Sequence, residues 1–418
     1  MQAMILSIGD ELVLGQTVDT NSAWMSGQLA AVGFSVALHM TVADDRPAIE
    51  RAIAECSGRC DLLVVSGGIG PTEDDLTRQA LAAVMRAPLL LDEGWLAKLH
   101  QFWNRRNQLM PAINEIQARI PSGATLLENP LGTAAGIRAK LGQCDVFVVP
   151  GVPKEMKGMF SAHVLPLAKQ TAGGAAIVSR TLHTFGMGES AIAERLGDLM
   201  RRDRNPSVGT TVANGVVSLR INSRFESVAK ATDEAEQTAL LCRERLGSLI
   251  FGEDDQTLEQ VLGTMLQGDG RCKLLATAES CTGGLLAKLI TDVPGSSSCF
   301  HEGFITYSNE SKTELLGVQA DLIDLHGAVS EPVALAMAKG ARERAKTDFA
   351  LSITGIAGPD GGTEKKPVGT VWIGLATPDA ITARHFLFPG DRAMIRDRSA
   401  KMALSMLRFH LLGQKMPF

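Results

Sequence analysis

The stretch LLATAESCTGGLLAKLI, residues 274–290, passes from a run of apolar and small residues through a short polar turn into a rhythm of leucines at helical spacing. Strand, glycine turn and helix in that order make the repeating half of an α/β layer, because each element has one face or stripe that must bury against the other. The turn also sets Ser280, Cys281 and Thr282 just beyond the strand, where open α/β sheets bind their ligands. Outward from this stretch, strands are predicted at 273–278, 301–307, 348–354, 369–376 and 381–388, with a lead helix in TLEQVLGTMLQG and a closing helix over about 391–412.

A similar alternation fills residues 1–170: AMILSIG, FSVALHMTV, DLLVVSGG and DVFVVPGVP read as strands of a mostly parallel sheet, with NSAWMSGQLAAVG, PAIERAIAEC and DDLTRQALAAVM as helices between them. Between the two α/β regions, TAGGAA at 171–176 reads as a linker. It leads into a small βαββα unit whose middle strands turn at Asn214-Gly215, a strong hairpin signal. The fold class is therefore α/β: two three-layer α/β domains, at 1–170 and 253–418, joined by a small α+β connector at 171–252.

Composition excludes several classes. With 418 residues the chain is too long for one core, and 45% hydrophobic against 21% charged residues is ordinary globular material, not disorder. A net charge of -5 advertises neither a nucleic-acid nor a membrane surface, although Arg201, Arg202 and Arg204 form a local basic run. No apolar run nears the roughly 20 residues that span a bilayer, and MQAMILSIGDEL lacks the features of a signal peptide. Seven cysteines at irregular spacing read as free thiols of a reducing compartment, so a cytoplasmic location is expected. Cys56 and Cys60 have no second pair nearby to complete a structural zinc site.

Four polar groups fall beyond strand ends of the C-terminal domain: Ser280–Gly284, Tyr307–Lys312, Thr354–Gly362 and Asp391–Arg396. Their recurrence points to one shared pocket. Ser280 needs a base, and Lys312 in TYSNESK is the nearest residue able to serve as one if its ammonium is desolvated or crowded by Arg392 and Arg396. Cys281 would want a histidine, for which only His326 is placed, while Thr282 suits a helix cap. Gly283 and Gly284 are read as leaving backbone N–H groups for a developing oxyanion. Tyr307, the only tyrosine, is assigned a hydrogen-bonding or stacking role. TGIAGPDGG at 354–362, with Gly355 and Gly358, suits a phosphate or ribose, and Arg392 and Arg396 stand one turn apart to hold a phosphate. A plain turn, a helix cap and a solvated basic face are the structural alternatives.

In the N-terminal domain, SGGIGPTEDD places Gly67, Gly68 and Gly70 after a strand and Glu73, Asp74 and Asp75 before a helix. Asp10, Glu11, Asp44 and Asp45 follow neighbouring strands. Crowded carboxylates of this kind suit Mg²⁺ or a similar divalent ion held with a phosphate-bearing substrate, though helix capping explains part of the set.

ATAESCTGG, TYSNESK, HGAVSEPV, SITGIAGPDGG, KPVGTVWIGLAT and FPGDR together resemble, over about 160 residues, the CinA C-terminal domain of which the PncC nicotinamide mononucleotide amidohydrolases consist. That resemblance implies hydrolysis of nicotinamide mononucleotide to nicotinate mononucleotide and ammonia, with Ser280 as nucleophile and Lys312 as base, no metal, and Tyr307, Thr354 and Arg392 completing the pocket. IGDELVLGQTVDTNS, SGGIGPTEDD, NPLGTAAG and PGVPKEM resemble the MoaB/MogA molybdopterin-binding fold at the head of full-length CinA proteins, and the middle unit resembles their KH-like insert. The implied N-terminal activity is a metal-dependent ADP-ribose pyrophosphatase whose substrate loops would include Asn129, Gly132 and Thr133; Ala135 stands where family loops carry proline. A homodimer without membrane association is expected. Two other readings stay open: an interaction protein of DNA uptake, for which nucleic-acid binding is undecided, and a pterin-binding module.

Overall fold

The computed structural model, which describes residues 1–172, 176–268 and 270–418, shows why the first sheet is buried on both faces. Along β1 (Gln2–Ile8), Met4, Leu6 and Ile8 join one apolar cluster while Ala3 and Ile5 join another. The same alternation divides β3 (Leu62–Ser66) and β8 (Cys144–Val149) between the two clusters. A two-residue side-chain period sends alternate residues to opposite faces, and here both faces are roofed by helices. With β2 (Ser35–Val42), β6 (Thr125–Leu127) and β7 (Gly136–Leu141), the sheet order is β2-β1-β3-β8-β7-β6. The first four strands run parallel, whereas β7 is antiparallel to β8 and β6 antiparallel to β7. A short ribbon of β4 (Leu89–Leu91) and β5 (Arg119–Pro121) is separate.

A four-stranded sheet follows, built from β9 (Ala176–Phe185), β10 (Ser207–Ala213), β11 (Val216–Phe225) and β12 (Ile250–Glu253) in the order β10-β11-β9-β12. Asn214 and Gly215 have φ of 49° and 76°, the two left-handed positions that the hairpin turn demands. β12, at the boundary between the connector and the last domain, pairs antiparallel with β9 in this sheet. Of the expected linker, residues 173–175 lie outside the described residues, and Ala176 already belongs to β9.

The last sheet has the order β14-β13-β15-β16-β17, from β13 (Leu275–Glu279), β14 (Phe300–Ile305), β15 (Phe349–Gly355), β16 (Thr370–Ala376) and β17 (Ile381–Leu387). β13, β14 and β15 are parallel; β16 is antiparallel to β15 and to β17, so β17 again ends at the edge where β13 ends. Leu351 and Ile353 pack toward the helices Leu258–Gln267, Leu285–Thr291 and Arg392–Leu411, while Ala276, Ala278 and Ala350 face the helix Glu331–Ala345. That second face is made of small residues because the helix lies very close: a Cβ on Gly374 would sit 2.7 Å from the Ala334 carbonyl oxygen.

By packing, the chain divides into two compact units, Met1–Val178 with Asn222–Ala235, and Ser179–Ile221 with Glu236–Phe418. In both three-layer sheets the first strand is flanked by the second and third, an order that opens a crevice at the carboxyl end of the first strand. Among the described residues no helix is long and apolar enough to cross a membrane.

Cys272 and Cys299 are joined by a disulfide, which corrects the expectation of seven free thiols. The pair stands just ahead of β13 and β14, neighbours in the sheet, so the parallel register brings together residues 27 apart in sequence.

Candidate functional site

In the second unit the crevice falls between β13 and β15, and Ser280 stands at its lip. The Ser280 amide donates to the Ile353 carbonyl (2.9 Å), which extends the β13–β15 ladder by one residue and holds the turn rigidly. Ser280 is 9% exposed and Lys312, one turn into the helix Asn309–Leu316, is 1% exposed. Lys312 Nζ lies 3.2 Å from Ser280 Oγ and also reaches the carbonyl oxygens of Thr306 (3.0 Å), Tyr307 (3.3 Å) and Ser308 (3.3 Å). Burial drives the Lys312 amine below the ordinary lysine range, with the Cys281 thiol and the Glu310 carboxylate opposing more weakly. An ammonium has three donors for these four oxygens. Once neutral, the amine has a lone pair, and the serine hydroxyl is the only one of the four partners able to donate to it.

The glycine pair does a different job from the one expected. Gly283 N–H donates to the Ser280 carbonyl (3.0 Å) and Gly284 N–H to the Glu279 carboxylate (3.1 Å), so both amides are engaged within the turn. Glu279, 1% exposed, also accepts from Leu286 N–H (2.9 Å) and Ala287 N–H (2.8 Å). It is this carboxylate, not Thr282, that caps the helix Leu285–Thr291. The sequence signal is the acidic residue one position before the serine, whose side chain folds forward past the turn. Gly283 and Gly284, with φ of 57° and 92°, supply the left-handed backbone that this reversal needs.

Thr282 Oγ1 is buried without a partner, as is Arg396 Nε. Arg396 Nη2 donates to the Thr282 carbonyl (2.7 Å), so Arg396 clamps the serine turn and does not stand free beside Arg392. Arg392 donates to the Gly358 carbonyl (2.8 Å) and the Tyr307 hydroxyl (3.3 Å), which gathers three strand ends at one point. Tyr307 is 61% exposed, in keeping with a ring presented to a ligand and not with core filling. Thr354 lies at the same edge, but its hydroxyl donates to the Ala328 carbonyl (2.8 Å), which makes it a holder of the neighbouring loop. Gly355 is required by packing, since a Cβ there would sit 2.7 Å from Val371; at Gly358 it would meet Val368 at 2.6 Å.

Cys281 is 6% exposed, and burial pushes its thiol up to about 12, which removes it as a nucleophile near neutral pH. His326 is exposed at a helix end, where its carbonyl accepts from Lys366.

In the first unit, the loop after β3 is built around Asp75, whose carboxylate accepts from Gly70 N–H (2.7 Å), Thr72 N–H (2.9 Å) and the Thr72 hydroxyl (2.5 Å). Gly67 is obligatory, because its φ is 107° and a Cβ would lie 2.4 Å from the Ile8 carbonyl oxygen. Gly68 lies against Thr77, whose amide donates to its carbonyl (3.0 Å). Glu73 and Asp74 are exposed, and Asp45 caps the helix Arg46–Ser57. Asp10 and Asp44 each accept from the other's amide (2.9 and 3.1 Å). Burial first, then repulsion from Asp10, Glu11 and Asp74, raises the Asp44 carboxyl above its usual range despite the Asp10 amide. These are oxygen donors of the right chemistry for a hard cation. Among the described residues, however, no three acidic, histidine or cysteine side chains are gathered as a ligand set, so the expected metal site is not assembled in this arrangement.

Asn129 organises the 129–134 loop: it accepts from Leu131 and Gly132 amides (both 3.1 Å) and donates to Ala134 O (3.0 Å) and Glu155 (2.6 Å). With Gly132 and Thr133 it lines a hollow of about 220 Å³ alongside Trp95 and Phe102. In the connector, the basic run is largely neutralised: Arg201 pairs with Asp203 (2.8 Å) and Arg204 faces Asp198 (3.7 Å).

Three family models match in succession: the probable molybdopterin binding domain over residues 4–170, the damage-inducible protein CinA KH domain over 179–252, and the CinA C-terminal domain over 255–411. A CinA-like protein of Gemmatimonas aurantiaca is 42% identical across 98% of this chain and 96% of its own. A CinA-like protein of Geobacter sulfurreducens is 42% identical across 99% of this chain and 100% of its own. The crystallised competence/damage inducible protein CihA from Agrobacterium tumefaciens is 38% identical, covering 37% of this chain and 93% of its own, with a TM-score of 0.36.

Proposed function

The chain belongs to the CinA family, and on that footing we propose that its C-terminal site hydrolyses the carboxamide of nicotinamide mononucleotide, releasing nicotinate mononucleotide and ammonia. The observation that carries this reading is the 3.2 Å contact between Lys312 Nζ and Ser280 Oγ, both buried.

In the proposed reaction, neutral Lys312 takes the Ser280 proton as Oγ bonds to the carboxamide carbon. The lysine ammonium then gives that proton to the departing nitrogen, ammonia leaves, and a nicotinoyl ester remains on Ser280. Water, losing a proton to Lys312, attacks the ester; the C–Oγ bond breaks, the proton returns to Ser280 and the carboxylate product is freed. Because the Gly283 and Gly284 amides are engaged, charge on the tetrahedral oxygen is assigned to uncommitted donors at the turn, Thr282 Oγ1 and Arg396 Nε. Arg392 and Tyr307 are assigned to the mononucleotide's phosphate and ring. No metal enters this scheme.

The test is ammonia release from nicotinamide mononucleotide by wild type, Ser280→Ala and Lys312→Met. Full activity in Ser280→Ala, or none in wild type, overturns the reading.

For the first unit we propose an ADP-ribose pyrophosphatase that needs a divalent ion. The supporting observation is the pairing of Asp10 with Asp44 beyond two neighbouring parallel strands, each carboxylate accepting from the other's amide, which leaves two like charges that a cation would relieve. Among the described residues these donors are not gathered into a ligand set. Release of AMP and ribose 5-phosphate that requires Mg²⁺ and is lost in Asp44→Asn supports it; pterin binding with no such release replaces it with the pterin-binding reading. A homodimer is proposed alongside, to be checked by light scattering, and salt-dependent DNA or RNA retention would instead favour the interaction-protein reading.

A further inference from the structure

The first unit carries thiols that neither proposed activity uses. Cys60 stands just ahead of β3 and Cys144 opens β8, and these strands are parallel neighbours with Leu62 opposite Asp145. That register brings Cys60 Sγ to 3.7 Å from Cys144 Sγ. Cys60 is half-buried and Cys144 is 1% exposed. Above them opens a surface hollow of about 540 Å³ that both cysteines line, together with Arg59 and Gln143. A small solute therefore reaches Cys60 first, with Cys144 directly behind it.

The electrostatics follow the same order. A hydrogen bond from the Cys144 thiol lowers Cys60, while that bond and burial raise Cys144. Cys56, on the preceding helix, is buried and pushed up to about 11 by that burial; its carbonyl accepts from the Cys60 thiol (3.1 Å). Only Cys60 thus combines access with a thiol lowered from its ordinary range. Closing a disulfide of about 2.05 Å needs the two sulfurs to move together by roughly 1.7 Å, within reach of side-chain rotation between strands about 4.8 Å apart.

We propose that Cys60 and Cys144 form a hydroperoxide-sensitive dithiol at the amino ends of β3 and β8. The Cys60 thiolate attacks the peroxide oxygen, the O–O bond breaks, and the leaving oxygen departs as water after taking a proton. Cys60 is then a sulfenic acid. The Cys144 thiol, losing its proton, attacks the Cys60 sulfur and displaces the hydroxyl as a second water. Two thiols lose two electrons, and one peroxide becomes two waters. At about 3.3 Å per residue, the five residues of β3 put the new cross-link roughly 17 Å from the Gly67–Asp75 loop, so it ties the sheet without occupying the carboxylate crevice.

The experiment treats the full chain with hydrogen peroxide, blocks remaining thiols with N-ethylmaleimide under denaturing conditions, and maps peptides without reduction. The expected result is a Cys60–Cys144 cross-linked peptide two hydrogens lighter than its parts, with Cys56, Cys242 and Cys281 still alkylated. In Cys144→Ser, dimedone should label Cys60 about tenfold more than Cys56. Recovery of Cys60 as a free thiol at peroxide doses that oxidise glutathione overturns the proposal, as does a bond from Cys60 to Cys56 or to a second chain. The Cys272–Cys299 disulfide serves as the internal reference for mapping.

Discussion

Lys312 Nζ and Ser280 Oγ meet at 3.2 Å inside a turn that Glu279 ties from one side and Arg396 from the other. Replacing Lys312 with methionine keeps most of the volume and removes the base. Ammonia release should fall about a hundred- to ten-thousand-fold, with a much smaller change in KM. Lys312→Arg should be nearly as inactive, because a guanidinium does not deprotonate. Cys281→Ala, by contrast, should keep most activity; steady-state kinetics on the three variants separates these outcomes.

Burial of the Lys312 amine sets a pH signature. Its folded pKa lies below the unfolded value, so between the two the unfolded chain binds the extra proton, and stability contributed by this group rises with pH across that window. Activity should rise through the folded pKa, giving an ascending limb whose midpoint falls below 10.5, the ordinary lysine value. A rate profile of wild type, and denaturant midpoints of wild type and Lys312→Met across the same range, check both statements.

Glu279→Ala would leave three amides without their acceptor at a buried helix start. The cost should be at least about 2 kcal/mol in urea unfolding. Activity should drop beyond what the lost folded fraction explains, because the Ser280 turn loses its tie.

Arg392→Lys should raise KM about tenfold and change kcat less. A lysine cannot span the Gly358 carbonyl and the Tyr307 hydroxyl as the guanidinium fork does. Comparison with nicotinamide riboside, which lacks the phosphate, would show whether the loss is phosphate-dependent: the variant and wild type should then converge.

The strands of both three-layer sheets were legible because burial on two faces leaves apolar runs such as DLLVVS and FALSI with few alternative readings. Ser280 and Lys312 were legible as a pair because each follows one of two adjacent parallel strands. What the sequence hid depends on the direction a side chain takes. Glu279 folds forward and fills the Gly284 donor that had been assigned to a ligand, and Asp75 turns inward to organise its own loop. The Cys272–Cys299 bond was hidden for another reason: it follows from strand register, which cysteine spacing does not encode.

The closing helix has a consequence for how this chain can be cut. Near its start it carries Arg392 and Arg396; further along, Lys401 donates to the Asn214 carbonyl (3.1 Å), and Arg408, 6% exposed, donates to the carbonyls of Ser248 and Ile250 (both 2.7 Å). A fragment beginning at residue 253 would strip Arg408 of those two acceptors and leave a guanidinium in an apolar socket. Family models place a seam there, yet the seam is not a perforation: the connector is part of the scaffold on which the arginines of the candidate site are mounted.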